Sequence, residues 1–198
     1  MTLLQELQNL FSKWNRERKL TVILDTVSRY RVQSILIVGA SPGRDSDGIL
    51  NYIERGLLRR IPEITFSGLF SEGGNWPNWI EADALDLPFS DKSFDLVLSN
   101  AVIEHVGHEK EQLQFVREHQ RVGINWIITT PNKYFPVESH TQTIFSHFSK
   151  DWTSPLVVRL LSKRDLVELL PEPSYILGTL ISPTFICSNV KLKRCPKI

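Results

Sequence analysis

Short apolar runs alternate along this chain with longer amphipathic segments. Seven of the runs have the length and composition of β-strands, and they lie at 34–40, 64–70, 79–82, 94–99, 124–130, 175–181 and 185–192. Apolar residues at helical spacing, together with charged faces and cap residues, predict helices at 1–30, 45–60, 109–120 and from 162 onward. Strands that alternate with helices are typical of βαβ units and a parallel sheet.

This order predicts a Rossmann-like, doubly wound α/β fold with three layers, α/β/α, around a mainly parallel seven-stranded sheet. Only Ser182-Pro183-Thr184 separates the last two strands, so they are expected to pair as an antiparallel C-terminal hairpin. A chain of 198 residues suits one core better than two, which predicts a single domain over 1–198. Within it, 1–30 forms an N-terminal helical segment, and 132–160 forms a substrate-side insertion or lid.

Charge and composition narrow the possible partners. Lys and Arg number 23 against 22 Asp and Glu, so the net charge of +1 provides no global field for binding nucleic acid. No apolar run is long enough for a transmembrane segment. The amphipathic N-terminus and the two cysteines, Cys187 and Cys195, predict a reduced, cytoplasmic protein. The oligomeric state is not indicated by the sequence.

Polar residues follow several of the apolar runs at the point where each run stops. Asp83 comes after the third predicted strand, and Asn100 comes after the fourth. In open α/β sheets ligands bind outside the carboxyl ends of the strands, so these side chains are candidate ligand contacts. The first strand is followed by the turn Gly39-Ala40-Ser41-Pro42-Gly43, where glycines allow the backbone to approach a ligand.

Two other classes of protein share parts of this turn. Its five residues fit G-x-S-x-G, the nucleophile elbow of α/β-hydrolases, but Pro42 has no backbone N–H for the oxyanion hole. Nicotinamide-binding folds require G-x-G-x-x-G, whereas Ser41 and Ser46 stand at the second and third glycine positions. Both interpretations are therefore disfavoured.

The segments DALDLPF, FDLVLS and EHV within 81–106, and TTPNKYFPVESH at 129–140, resemble class I S-adenosylmethionine-dependent methyltransferases, in particular their broad type 11-like, small-molecule group. The resemblance covers roughly residues 34 to 170. It implies S-adenosylmethionine as cofactor and a small-molecule or glycan- or lipid-linked acceptor. It also implies three groups of cofactor-binding residues: the methionine-side loop Gly39, Ala40, Ser41 and Gly43; the adenine-side residues Asp83 and Ala84; and the sulfonium-side residues Asn100 and Ala101.

Methyl transfer from a sulfonium is a direct displacement, so the enzyme contributes mainly in-line positioning and the exclusion of water. A hydroxyl or amine acceptor would still benefit from a general base, and His105, Glu138 and His140 are the candidates. His105 could instead cap or cover the helix that follows it. Glu104, His105 and His108 do not form a metal set, because no further ligand follows at a recognised spacing.

The chain departs from the family pattern at three positions. Ile37 stands where the first strand usually carries an acidic residue, and Ser41 replaces the middle glycine of the loop. Phe70 stands where an acidic residue usually binds the ribose hydroxyls, and Glu72 is the nearest substitute. Two hypotheses follow. The chain is a methyltransferase with an altered cofactor loop, or it is a methyltransferase-like protein without catalysis that acts as a binding or scaffold module.

Overall fold

The computed structural model describes residues 3–42, 51–137, 143–149, 152, 154 and 157–193. The helices are α1 (Leu3–Arg29), α2 (Tyr52–Leu58), α3 (Glu109–Val122) and α4 (Lys163–Leu169), with a single 3-10 turn at Ser146–Phe148. The strands are β1 (Ser34–Val38), β2 (Glu63–Gly68), β3 (Trp79–Glu81), β4 (Phe94–Asn100), β5 (Gly123–Pro131), β6 (Tyr175–Leu177) and β7 (Thr184–Ser188).

The seven strands form one sheet in the order β3-β2-β1-β4-β5-β7-β6. Strands β1 to β5 pair with one another in parallel, whereas β7 runs antiparallel to both β5 and β6. The predicted Rossmann-like sheet and its antiparallel C-terminal hairpin are therefore confirmed.

A hydrophobic core lies on each face of the sheet. On one face, side chains of α1 and α2 such as Ile23 and Leu57 pack on alternate residues of the central strands, including Ile37 and Leu98. On the other face, α3 and α4 pack on the intervening residues of the same strands. Successive strand side chains point to opposite faces, so both sides of a central strand are apolar when helices cover both. Three layers result, as predicted.

The path from α3 into β5 depends on a glycine. Gly123 directly follows the last residue of α3 and begins the strand. A Cβ at this position would lie 2.5 Å from the backbone oxygen of Asn125 and 2.8 Å from Val97 Cγ2. A helix that enters a strand with no intervening loop thus needs a residue without a side chain at the junction.

Several boundaries differ from the predicted ones. The N-terminal segment, expected as one long helix or two shorter ones, is the single helix α1. The segment 109–120, predicted as an exposed helix, has a fully buried face that includes Phe115 and Val116. β6 stops at Leu177 instead of residue 181, because Thr179 to Ser182 form a turn in which the Ser182 N–H donates to the Thr179 carbonyl. Residue Asp45, where the helix predicted at 45–60 was expected to begin with an N-cap, lies outside the described residues.

Candidate functional site

The strand order reverses between β1 and β4, and this reversal positions the candidate site. From β1 the chain winds outward through β2 to β3, and β4 then pairs with the other side of β1. The registers place Val38 beside Ser67 and Ser99, so the residues that follow these positions meet at one edge. Ligands of doubly wound sheets bind in the crevice at such a reversal. The edge is formed by Glu81, Gly68, Gly39, Asn100 and Thr129.

Gly39 begins the turn after β1 in a left-handed backbone conformation, with φ of +72°. A Cβ there would lie 2.6 Å from Val102 Cγ1, so the chain after β4 crosses closely over this glycine. The turn is bonded to the neighbouring strand β2, because the Ala40 N–H donates to the Ser67 carbonyl at 2.9 Å. The Trp76 indole N–H donates to the Ser41 carbonyl at 2.8 Å. The last member of the predicted loop, Gly43, lies outside the described residues.

The end of β2 differs from the prediction. The strand was expected to continue to Phe70, but it stops at Gly68. Its pairing with β1 ends at Ser67, and its pairing with β3 ends at Gly68. Phe70 is therefore on an exposed loop, with 57% of its surface accessible, and its carbonyl accepts a hydrogen bond from the Trp79 indole at 2.9 Å. Glu72 is also exposed on this loop. Neither residue is held at the strand edge, although Glu72 carries the only carboxylate of the segment 69–74.

Asp83 and Ala84 lie just beyond β3, at the outer end of the same edge. The Asp83 side chain is exposed, and one carboxylate oxygen accepts the Leu85 N–H at 2.9 Å, while the Asp86 N–H donates to the Asp83 carbonyl at 3.1 Å. This local turn orients the carboxylate and leaves its other oxygen able to accept from a ligand. Ala84 is half-buried against the core below α3.

Asn100, the last residue of β4, is the centre of a buried polar cluster. Its side-chain oxygen accepts the Lys19 ammonium at 2.7 Å and the Thr129 hydroxyl at 2.9 Å. Its amide nitrogen donates to Glu54 Oε1 at 3.4 Å. The next residue, Ala101, has φ of +58°, and its N–H donates to the Thr129 carbonyl at 3.0 Å. Two helices and two strands are thus joined at this amide.

Sequence reasoning missed Lys19 and Glu54. Lys19 lies on α1 and is 6% exposed, and Glu54 lies on α2 and is 5% exposed. Burial lowers the pKa of Lys19 to about 8, and burial raises the pKa of the Glu54 carboxyl. Both stand next to apolar residues, Leu20 and Ile53, within otherwise amphipathic helices. A charged residue on the apolar face of a helix was the available sequence signal, and it does not identify the partner.

His105 is the one candidate base among the described residues. One third of its side chain is exposed, and its Nε2 lies 3.9 Å from Glu104 Oε1. Glu104 is fully buried and accepts the Thr130 hydroxyl through Oε2 at 3.2 Å. The alternative that His105 caps the following helix is wrong, because the N-cap of α3 is His108. Glu138 and His140 lie outside the described residues.

Exposed and partly exposed apolar side chains lie on three segments near this edge. Phe11 of α1 stacks on Phe135 after β5, with ring centroids 5.3 Å apart, and Trp14 lies beside Phe11 at 5.4 Å. The turn between β6 and β7 presents Leu180 and Ile181, which are 66% and 84% exposed. This turn is held at the end of β5 by Asn132, whose amide donates to the carbonyls of Leu180 and Ser182 at 2.9 and 2.8 Å. We call Phe11, Trp14, Phe135, Leu180 and Ile181 the apolar rim.

The residues at this edge suit a ligand that has a nucleoside at one end and an amino acid at the other. Asp83 offers an acceptor for an exocyclic amine, and the glycines at 39 and 68 leave backbone free of side chains between the two ends. Among the described residues no hydrogen-bond donor reaches Glu54 Oε2, although this atom is buried. A buried acceptor without a partner fits a site that a ligand completes. The ribose side has only exposed Glu72.

Comparison with known proteins agrees with this geometry. A family model described as a methyltransferase domain matches residues 65–125, which include β2 to β4 and α3. A search of curated proteins by sequence gives no match. The family match and the fold confirm the predicted resemblance to class I methyltransferases. They also agree with the predicted enzyme class and with S-adenosylmethionine as cofactor.

Solved structures share the fold at low sequence identity. An S-adenosylmethionine-dependent methyltransferase from Clostridium acetobutylicum is 11% identical with a TM-score of 0.60, covering 87% of this chain and 90% of that one. A possible histamine N-methyltransferase from Thermotoga maritima is 13% identical with a TM-score of 0.59, covering 93% of each chain. Magnesium protoporphyrin IX methyltransferase from Synechocystis, solved with bound SAH, is 11% identical with a TM-score of 0.58, covering 95% and 87%.

Within the part of the chain that the structure describes, no helix is long and apolar enough to cross a membrane.

Proposed function

We propose that this protein is an S-adenosylmethionine-dependent methyltransferase that acts on a small-molecule or a glycan- or lipid-linked acceptor. The observation that carries the proposal is the shared edge of the sheet. It brings Gly39 and Asn100 to the ends of the neighbouring strands β1 and β4, with Asp83 beyond the end of β3 at the same edge. A methyltransferase domain matches residues 65–125 of the chain.

In this proposal Asp83 and Ala84 contact adenine, Gly39 to Ser41 lie along the methionine part, and Asn100 and Ala101 lie beside the sulfonium. When bound, S-adenosylmethionine would supply an electrophilic methyl group. The chain's contribution is to hold donor and acceptor in line and to keep water away, which avoids the entropic cost of a bimolecular encounter. The altered ribose side predicts weaker cofactor binding, because unpaired buried hydroxyls cost about 1–3 kcal/mol each.

His105 is proposed to accept the proton of a hydroxyl or amine acceptor. The adjacent Glu104 carboxylate, 3.9 Å from Nε2, would stabilise the imidazolium that forms. Glu138 and His140 stay candidates for the same role. Their part of the chain follows β5, whose carboxyl end faces the site.

The acceptor is proposed to carry an apolar portion. The apolar rim gathers residues of α1, of the segment after β5 and of the β6–β7 turn at the same edge as Asn100. Accessible apolar groups gathered at one edge of a sheet are typical of sites that bind an apolar partner. Among the predicted acceptor classes, the rim favours a lipid-linked molecule or a small molecule with an aromatic or aliphatic part.

Calorimetric titration with S-adenosylhomocysteine, together with a thermal shift assay, tests the proposal. Binding should be measurable at micromolar to millimolar ligand, and adenosine monophosphate at the same concentrations serves as a control for unspecific nucleotide binding. If S-adenosylhomocysteine produces neither heat nor a shift at millimolar concentration, the enzyme proposal fails and the binding or scaffold interpretation takes its place.

The acceptor class is tested separately with S-adenosylmethionine that carries a labelled methyl group. The purified protein is incubated with cell extract, and the products are divided between water and an organic solvent. We expect label in the organic phase. Label confined to water-soluble products would contradict an apolar acceptor but not methyl transfer itself.

The predicted cytoplasmic location also stays a proposal, and the free, buried thiol of Cys187 is consistent with a reducing compartment.

A further inference from the structure

Lys19 and Glu54 form a buried pair of a basic and an acidic side chain that are joined through a neutral amide. The Lys19 ammonium donates to Asn100 Oδ1 at 2.7 Å, and the Asn100 amide nitrogen donates to Glu54 Oε1 at 3.4 Å. Each charged residue is about 95% buried. Removing a charge from water costs several kcal/mol, so such groups normally satisfy every donor and acceptor they have.

This pair is not fully satisfied within the described residues. Glu54 Oε2 is buried without a hydrogen-bond donor. Lys19 has three N–H donors, of which Asn100 accepts one. The cluster therefore has an unpaired carboxyl oxygen on Glu54 and spare donors on Lys19, on opposite sides of one amide group.

The position of the pair points to a ligand rather than to the core. Asn100 ends β4, and its side chain lies on the face that α1 and α2 cover, since Leu96 and Leu98 of the same strand pack there. In the sheet, β4 and β1 are neighbours at the reversal of strand order, so Asn100 adjoins the turn at Gly39. Lys19 and Glu54 are thus the charged groups above the methionine side of the proposed site.

We propose that Lys19 and Glu54 bind the amino-acid end of the cofactor, Lys19 contacting its carboxylate and Glu54 its ammonium group. The inference depends on the proposed function, and it assigns the role to helices outside the segment that matches the methyltransferase domain. A cation and an anion held apart by a shared amide are complementary to a zwitterion, whose two charges are also held apart by a fixed, short distance.

The electrostatics of Lys19 agree with this assignment. Burial lowers the pKa of Lys19 to about 8, and the nearby cations Arg16 and Arg18 act in the same direction. The carboxylates of Glu54 and Glu104 oppose this effect. A ligand carboxylate would favour the charged form of Lys19, so binding takes up a proton above about pH 8. The affinity for a ligand with a carboxylate should therefore fall as the pH rises through this value.

Two ligands that differ only in the amino-acid end provide the test. S-adenosylhomocysteine carries it, and 5′-methylthioadenosine shares the adenine, ribose and thioether but lacks it. Wild-type protein should bind S-adenosylhomocysteine more tightly. Lys19→Met should weaken S-adenosylhomocysteine binding by about tenfold or more, in keeping with the loss of a charge-assisted hydrogen bond, and leave methylthioadenosine unchanged.

Glu54→Gln should reduce the same preference, because an amide cannot pair with an ammonium as a carboxylate does. Lys13→Met is the matched control, since Lys13 is an exposed lysine on the same helix. If Lys19→Met alone does not fold, the double variant Lys19→Met/Glu54→Gln removes both charges and keeps the side-chain lengths. It should bind the two ligands with nearly equal affinity.

Three results would overturn the inference. If the variants keep the wild-type preference for S-adenosylhomocysteine, the pair does not touch the amino-acid end, and the proposed function still stands. If folded variants lose both ligands equally, the pair shapes the site without selecting the amino-acid end. If wild-type protein binds neither ligand, the proposed function fails and the inference fails with it. A pH profile of S-adenosylhomocysteine binding that falls above about pH 8 in wild type but not in Lys19→Met would support the assignment.

Discussion

Gly39→Ala should destabilise the turn after β1 for two separate reasons. The first is conformational, because Gly39 has φ of +72° and an L-residue in the left-handed region costs about 1–2 kcal/mol. The second is steric, because the new Cβ would lie 2.6 and 2.7 Å from the two methyl carbons of Val102. Val102 is β-branched and its χ1 is stiff, so its methyl groups cannot easily turn away.

The two contributions can be separated by a second substitution. Overpacking of this kind costs about 1–3 kcal/mol, which gives a total of about 2–5 kcal/mol for Gly39→Ala in the wild-type background. Val102→Ala removes both methyl groups that clash. In that background the conformational cost of about 1–2 kcal/mol should remain, together with a smaller steric cost from the Val102 Cβ, which lies 3.2 Å from the new Cβ. The coupling free energy between the two positions should therefore be about 1–3 kcal/mol.

The wild type, the two single variants and the double variant are compared by urea unfolding, monitored by circular dichroism. Gly74→Ala is the matched control, because Gly74 also has a positive φ, of +63°, but lies exposed on a loop. It should show the conformational cost alone. If Gly39→Ala costs the same in both backgrounds to within about 0.5 kcal/mol, the argued contact with Val102 does not determine the stability of this turn.

Two further predictions concern acid stability and the adenine side. His119 is fully buried on α3, and its Nδ1–H donates to the Phe115 carbonyl at 2.8 Å. Burial lowers the pKa of His119 to about 4. Between pH 6.5 and 4 the unfolded chain binds a proton that the folded chain does not, so up to about 3 kcal/mol of stability present above pH 6.5 should be lost as the pH falls. Urea unfolding of His119→Leu should therefore show a shallower dependence of stability on pH than the wild type. An equal dependence would contradict the low pKa of His119. Asp83→Ala should weaken S-adenosylhomocysteine binding by about 1–3 kcal/mol, as measured by calorimetry. The control Asp86→Ala, in the same turn, should leave binding unchanged. Equal effects of the two substitutions would mean that adenine binds elsewhere.

Local pattern was enough to predict most of the fold. The apolar runs gave the seven strands in their correct order along the chain, and the polar residues that end two of those runs, Asp83 and Asn100, do lie at the carboxyl edge. The strand ends were less predictable. Phe70 continues the apolar run of β2, yet pairing with β1 and β3 stops at Gly68, because the lengths of the neighbouring strands decide where hydrogen-bonded partners end.

The sequence by itself determined the fold class, the position of the sheet edge and the family likeness, since each of these depends on residues that are close together in the chain. Only the tertiary structure showed that Lys19 and Glu54 meet at Asn100. Lys19 is separated from Asn100 by 81 positions, and its place on the apolar face of α1 does not indicate which residue it contacts. Whether a charged side chain is solvated or buried beside a ligand site depends on which elements pack over it, and that packing is a property of the whole chain.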